Sequence, residues 1–222
     1  MMAGTSPPWR RPEPLFHDRR EAGRVLAEQL SGFRGRDDVL VLALPRGGAP
    51  VGREVAKSLG APFDVFVTRK LGVPGQEELA MGAVASGGVR VLNQPVLEDS
   101  GVSDEQLEAA TRSELAELER REQAYRGQRP RPRIGGRVVI LVDDGLATGA
   151  SMIAALRALR PLGPRWLVVA VPTAPPDACA EVAGIADEVV CPLTPRPFLS
   201  VGQWYEDFSQ TSDEEVRALL TS

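Results

Sequence analysis

The fold is decided by the stretch Val138-Val139-Ile140-Leu141-Val142-Asp143-Asp144-Gly145-Leu146-Ala147-Thr148-Gly149-Ala150-Ser151-Met152. Its first five residues are apolar without a polar break, which is typical of a strand buried on both faces of a parallel sheet. Two aspartates stand where that strand should end. The small residues after them let backbone come close to a ligand, and an apolar-periodic helix follows. Ligands of open α/β sheets bind at such a place, and a helix N-terminus favours a phosphate.

This stretch resembles the motif with which type I phosphoribosyltransferases bind phosphoribosyl pyrophosphate (PRPP). The motif has four apolar residues, two acids, two residues that are usually apolar, one variable residue, then Thr-Gly and small hydroxyl residues. The sequence departs from it at Gly145, where an apolar residue is usual. The matching positions are Val139 to Val142, Asp143, Asp144, Leu146, Thr148, Gly149 and Ser151.

The resemblance implies roles for these residues. Asp143 and Asp144 are expected to bind the ribose hydroxyls of PRPP and to act in catalysis. Mg²⁺ is expected as cofactor, held mainly by PRPP with help from the same two acids. The residues expected to bind the 5′-phosphate are Leu146, Ala147, Thr148, Gly149, Ala150 and Ser151.

A second site signal lies one strand-helix unit earlier in the chain. An apolar run over 39–44 ends at Pro45-Arg46-Gly47-Gly48, and a helical pattern follows. Two glycines beside an arginine expose N–H groups next to a positive charge, which suits a diphosphate. Arg46, Gly47 and Gly48 look like the pyrophosphate-binding turn of the family.

A third signal follows the strand predicted over 63–67. Arg69 and Lys70 precede the polar, Gly/Pro-rich segment 71–79, which we predict to be a mobile loop. The arrangement is similar to the flexible catalytic loop of the family, whose basic pair meets pyrophosphate, and Arg69 and Lys70 are candidate catalytic residues. Segments 81–85 and 89–92 predict an antiparallel ribbon.

A long charged helix is predicted from Ser103 to about residue 126, with Ser103 and Gln106 as its capping pair. It is expected to lie solvated on the domain, or to form a contact in a homodimer. The segment 193–222 is expected to form a hood over the acceptor. Its candidate acceptor-stacking residues are Phe198, Trp204 and Tyr205.

Alternating strands and helices predict an α/β fold: a five-stranded, mostly parallel sheet with helices on both faces, a flexible ribbon loop and a small hood. The expected organisation is a loose arm over 1–14, a phosphoribosyltransferase-like domain over 15–192 that includes the helical insert 103–126, and the hood. The chain has 222 residues, enough for one such domain.

Composition narrows the function classes. Hydrophobic content is 43% and the net charge is −4, which gives no support for non-specific nucleic-acid binding. The clearest basic cluster, Arg129, Arg131 and Arg133, lies in a predicted linker. No apolar run has the roughly 20 residues of a membrane span, and the N-terminus has no signal-peptide core. A cytoplasmic protein is expected.

The implied activity is transfer of phosphoribose from PRPP to a nitrogen acceptor such as a nucleobase, with release of pyrophosphate. The alternative is a regulator that senses PRPP or a nucleotide without efficient catalysis; a phosphoesterase is a third hypothesis. Hypoxanthine- and guanine-specific relatives carry an aspartate where this chain has Ala147, whose methyl group cannot transfer a proton. These two bases are therefore disfavoured as acceptors.

Overall fold

The protein is described here by a computed structural model of residues 13–221. Its centre is a five-stranded sheet of strands β1 Val39–Ala43, β2 Phe63–Val65, β6 Val138–Val142, β7 Trp166–Ala170 and β8 Glu188–Val190. The spatial order is β2-β1-β6-β7-β8, and every pairing is parallel. The predicted five-stranded parallel sheet is confirmed.

Seven α-helices surround this sheet within the described residues. They are α1 Arg19–Gln29, α2 Gly48–Leu59, α3 Gln94–Ser100, α4 Asp104–Arg126, α5 Ala150–Leu159, α6 Pro176–Ala183 and α7 Asp213–Thr221. Alternate residues of the central strands enter two separate cores. Val39, Val41 and Ile140 pack with α1, α2, α4 and α7, whereas Leu40, Val139 and Leu141 pack with α5 and α6. The predicted helices on both faces are thereby confirmed.

A second, antiparallel sheet contains β3 Thr68–Val73, β4 Gln76–Ala85 and β5 Val89–Leu92. The predicted ribbon is present. Segment 71–79, predicted to be a mobile loop, belongs to β3, β4 and the turn between them, and its mobility stays a prediction. This segment forms the tip of the β3–β4 hairpin, because Leu71 and Val73 alternate with polar or small neighbours and are buried. The tight turn between the strands includes Gly75, at φ +79°.

The long helix begins as predicted, since the Ser103 hydroxyl accepts from the Gln106 N–H and the Gln106 side chain accepts from the Ser103 N–H. It packs on β3, β4 and α7. The predicted linker arginines are partly used in this packing, because Arg131 pairs with Glu122 of α4 and Arg129 donates to the Leu220 carbonyl of α7.

The two ends of the described chain pair with each other. Leu15 and Phe16 donate backbone hydrogen bonds to the Trp204 carbonyl, and Glu206 donates to the Phe16 carbonyl. Most of the predicted N-terminal arm, residues 1–12, lies outside the described residues. No helix within 13–221 is long and apolar enough to cross a bilayer.

Candidate functional site

Two strand-to-helix turns meet at one point of the sheet edge. After β1 the chain continues to β2 on one side, and after β6 it continues to β7 and β8 on the other, so the strand order reverses between β1 and β6. The last paired residues are Ala43 and Val142, and the Leu44 N–H donates to the Val142 carbonyl at 2.9 Å. The segments 45–48 and 143–149 therefore leave the sheet side by side, at the position where open α/β sheets form ligand sites.

Gly47 and Gly48 lie directly against the acid pair. A Cβ atom on Gly47 would be 2.1 Å from Asp144 Oδ2, and one on Gly48 would be 2.8 Å from the Val142 carbonyl oxygen and 2.9 Å from Asp143 Cα. No side chain fits at either position without a shift of its neighbour. The close approach of the two turns therefore depends on these two glycines.

The two aspartates of the acid pair are largely but not fully buried. Asp143 Oδ1 accepts a hydrogen bond from the Asp144 backbone N–H at 2.9 Å, so its side chain turns back onto the loop. Burial, and next the charge of Asp144, raise the pKa of Asp143 well above its ordinary value. Burial also raises the pKa of Asp144, while Arg19 opposes that rise. Keeping both neighbouring carboxylates ionised therefore costs free energy here. Perturbed pKa values of this kind are frequent at functional sites.

Arg19, at the first position of α1, is a site residue that the sequence reasoning missed. Its Nε lies 2.8 Å from Asp144 Oδ2, and both side chains are largely buried, at 11% and 13% exposed. The two residues are 125 positions apart in the chain. The helical pattern placed Arg19 near a helix start, but nothing in the sequence pointed to its partner.

The predicted phosphate loop opens helix α5. Gly149 caps this helix in the left-handed conformation at φ +75°, and Thr148, Ala150 and Ser151 are exposed. Thr148 Oγ1 accepts from the Ala150 N–H at 3.4 Å. The first turn of α5 thus presents backbone N–H groups and a hydroxyl at a helix N-terminus, an arrangement suited to a phosphate.

Leu146 does not match its expected role. Its N–H donates to the Thr173 carbonyl at 3.1 Å and its side chain is 3% exposed, so the Leu146 N–H is already bonded. The Leu146 N–H is therefore not free to bind a phosphate in this structure, and the 5′-phosphate roles of residues 147–151 stay predictions. The departure at Gly145 also has a reason. A Cβ there would lie 2.6 Å from Val201 Cγ1 of the C-terminal segment 193–222, which we call the tail.

The three side chains predicted to bind pyrophosphate pair with carboxylates outside the acid pair. Arg46 Nη1 lies 3.8 Å from Asp213 Oδ1 of α7. Arg69 Nε donates to Glu114 Oε2 of α4 at 2.7 Å.

Lys70 Nζ lies 3.4 Å from Glu78 Oε2 across the hairpin. Arg69 and Lys70 line a cleft of about 470 Å³ between the hairpin and α4. The structure places this basic pair at the root of the hairpin, without a hydrogen bond or ion pair to Asp143 or Asp144 in residues 13–221.

The tail covers the acid loop. The Tyr205 hydroxyl donates to the Asp144 carbonyl at 2.6 Å, and both Trp204 and Tyr205 are 4% exposed. The Tyr205 ring packs with Phe16 and Phe208, and Trp204 lies in the same apolar cluster, so both rings help to hold the tail on the domain. Phe198 is only partly buried, 5.9 Å from Trp204 between ring centroids, and its stacking role stays a prediction.

Comparison with families of known proteins identifies a phosphoribosyl transferase domain over residues 17–195. Two proteins of Mycobacterium tuberculosis, from strains CDC 1551 and H37Rv and both named "Putative phosphoribosyl transferase", are 52% identical to the chain over 206 residues. The alignment covers 93% of this chain but 46% of each relative, so the chain spans about half the length of these curated relatives.

Among solved structures, the crystal structure of TT1426 from Thermus thermophilus matches with a TM-score of 0.83 at 45% sequence identity. The match covers 92% of this chain and 97% of that chain. The family match includes both the Gly47-Gly48 turn and the acid pair.

Proposed function

Because the chain belongs to the family of the phosphoribosyl transferase domain, we propose that it transfers phosphoribose from PRPP to a nitrogen acceptor and releases pyrophosphate. The observation that carries the proposal is the contact of the Gly47-Gly48 turn with the acid pair at the strand-order reversal. In this proposal the Gly47-Gly48 turn binds the diphosphate, the two acids bind the ribose hydroxyls and the start of α5 binds the 5′-phosphate.

The ribose and its 5′-phosphate define one half of the proposed site. Asp143 and Asp144 accept hydrogen bonds from the two vicinal hydroxyls, which explains the use of two adjacent acids. The 5′-phosphate lies on the N–H groups of residues 147–151, with the Thr148 hydroxyl as a further donor. The helix dipole of α5 favours the negative charge at this end of the substrate.

The pyrophosphate lies at the other end, on the backbone of Gly47 and Gly48. Mg²⁺ would neutralise part of its charge as it leaves. Such an ion is usually held by one or two carboxylates together with substrate phosphates. Asp143 and Asp144 fit this, since they offer two adjacent carboxylates beside the Gly47-Gly48 turn.

Bond cleavage places positive charge on the ribose ring. In this proposal an ionised carboxylate of the acid pair stabilises that charge. Burial, which raises the pKa of Asp143, strengthens such an interaction because little water screens it. The hairpin tip would close over the bound substrate and exclude water, which competes as an acceptor. Arg69 and Lys70 would then exchange Glu114 and Glu78 for the pyrophosphate.

The test is pyrophosphate release from Mg-PRPP in the presence of a panel of purines, pyrimidines and small amines. Release that depends on one acceptor is the expected result. Hypoxanthine and guanine should be poor acceptors, because the exposed methyl group of Ala147 can neither accept nor donate a proton. Fast turnover of either base would contradict this acceptor argument.

Tight binding of PRPP without turnover of any acceptor would favour the second candidate, a PRPP-sensing regulator. Pairing of Arg69 and Lys70 with glutamates is the observation that keeps this candidate open. The curated relatives extend beyond the aligned region, so the panel should be repeated with any longer natural form of the chain.

A further inference from the structure

The Arg19 guanidinium is held on three sides. Its Nε donates to Asp144 Oδ2 at 2.8 Å, and its Nη1 donates to the Ser209 carbonyl at 2.6 Å. Its Cζ lies 3.9 Å from the centre of the Phe208 ring, a cation–π contact. Because α1 and the tail both contribute to this position, the guanidinium is fixed beside the acid pair before any ligand binds.

The Arg19 guanidinium lies beside the proposed pyrophosphate-binding turn. Asp144 Oδ2, the oxygen that receives its Nε–H, is also the atom 2.1 Å from the place of a Cβ on Gly47. The guanidinium and the turn therefore both contact the same carboxylate oxygen of Asp144. A guanidinium has five N–H donors, and the hydrogen bonds found among residues 13–221 use its Nε and Nη1 but not its Nη2.

Arg19 differs from the three cations predicted to bind pyrophosphate in the carboxylate with which it pairs. Arg46, Arg69 and Lys70 are paired with carboxylates of α7, α4 and the hairpin. Within residues 13–221, the side chain that forms an ion pair with the acid pair is that of Arg19, which contacts Asp144. Arg19 also has a carboxylate partner, but that partner, Asp144, belongs to the proposed site itself. A diphosphate entering this place would therefore meet a cation that is already in position.

We propose that Arg19 is a further substrate-binding residue, which donates to the pyrophosphate of PRPP through its remaining N–H groups while its Nε holds Asp144. The inference rests on the proposed function, since it assigns the cation at one end of that site. Arginine suits this role because its planar donors bind carboxylate and phosphate oxygens in fixed geometry. One guanidinium would thus bridge the ribose-binding acid and the leaving group.

The test measures the affinity for Mg-pyrophosphate and for ribose 5-phosphate by calorimetry in wild type, Arg19→Met and Arg19→Lys. The control is Arg20→Met, which removes the same charge from the next residue, a 61% exposed arginine lying 3.9 Å from Glu54. Arg19→Met should weaken pyrophosphate at least tenfold and ribose 5-phosphate clearly less. Arg19→Lys should lose several-fold, since it keeps the charge without the planar donors, and the control should match wild type.

Repeating the measurement in protein that carries Asp144→Asn separates direct binding of pyrophosphate by Arg19 from an indirect effect through Asp144. If Arg19 contacts pyrophosphate, Arg19→Met should still weaken it in protein that already carries Asp144→Asn. Unchanged pyrophosphate affinity in that background, or equal losses for both ligands in the single variant, overturns the inference. If wild type binds PRPP and Arg19→Met keeps full pyrophosphate affinity, the role of Arg19 is refuted but the proposed function is not. If wild type binds neither pyrophosphate nor ribose 5-phosphate, the proposed function itself is refuted. Arg19→Lys serves as the test if Arg19→Met does not fold.

Discussion

Adding one methyl group at Gly47 should disable the site without unfolding the protein. Gly47 has φ −59° and ψ −37°, a right-handed conformation that alanine adopts freely. The new Cβ would lie 2.1 Å from Asp144 Oδ2, whereas Cβ contacts under 3.0 Å are essentially never observed. The Asp144 carboxylate must therefore move by about 0.9 Å, away from the position that it shares with Arg19.

The expected loss of PRPP affinity follows from the hydrogen bond that a displaced Asp144 can no longer make. A displaced Asp144 loses a charge-assisted hydrogen bond to a ribose hydroxyl, which contributes about 1.5–3 kcal/mol. The affinity for Mg-PRPP should fall about tenfold to hundredfold. Stability should change by about 1 kcal/mol or less. Alanine adopts the native backbone conformation of Gly47, and the smaller freedom of the unfolded chain offsets the disturbed ion pair.

The assay is calorimetric titration of Mg-PRPP together with thermal unfolding of Gly47→Ala. Gly32→Ala is the matched control, because a Cβ at Gly32 would meet nothing within 4 Å. Wild-type affinity in Gly47→Ala would refute the argument that this turn and the acid pair form one site. Loss of folding in Gly47→Ala would show instead that the contact is structural.

Other consequences concern the acids, the tail and the hairpin. Asp143→Asn should raise the melting temperature at pH 8 but not near pH 4. The pKa of Asp143 is raised in the fold, so its ionisation costs stability as pH increases above the ordinary value of 3.8; a gain that does not depend on pH would contradict this. Tyr205→Phe should destabilise by about 1–3 kcal/mol, measured by urea unfolding, by leaving the Asp144 carbonyl without its donor. Proteases should cut the exposed tip 74–79 and do so more slowly with Mg-PRPP; equal cleavage would remove its role as a lid.

Most of the central fold could be predicted from local pattern. Apolar runs such as 138–142 are buried on both faces and form the parallel strands that the pattern indicates. The hairpin was missed because glycine and proline in 71–79 outweighed the alternation of Leu71 and Val73, which was present in the sequence. That alternation, followed by a turn at Pro74 and Gly75, is an ordinary hairpin signal.

The candidate site was only partly predictable. The glycine turn and the acid pair each carry a local signature, and parallel strands bring such turns to one edge. Arg19 and Tyr205 reach Asp144 from the two ends of the chain, through tertiary packing that no local pattern encodes. The ion pairs of Arg69 and Lys70 are likewise tertiary contacts, and so their partners could not be read from the sequence.

The most direct test of the central claim is the dissociation constant of Mg-PRPP for wild type and for Asp144→Asn, measured with the melting temperature of each. We expect saturable binding by wild type. Asp144→Asn should bind at least tenfold more weakly, with melting temperatures within a few degrees. Equal affinity of the two proteins for PRPP, whether or not the variant is less stable, would contradict the assignment of the acid pair to the ribose.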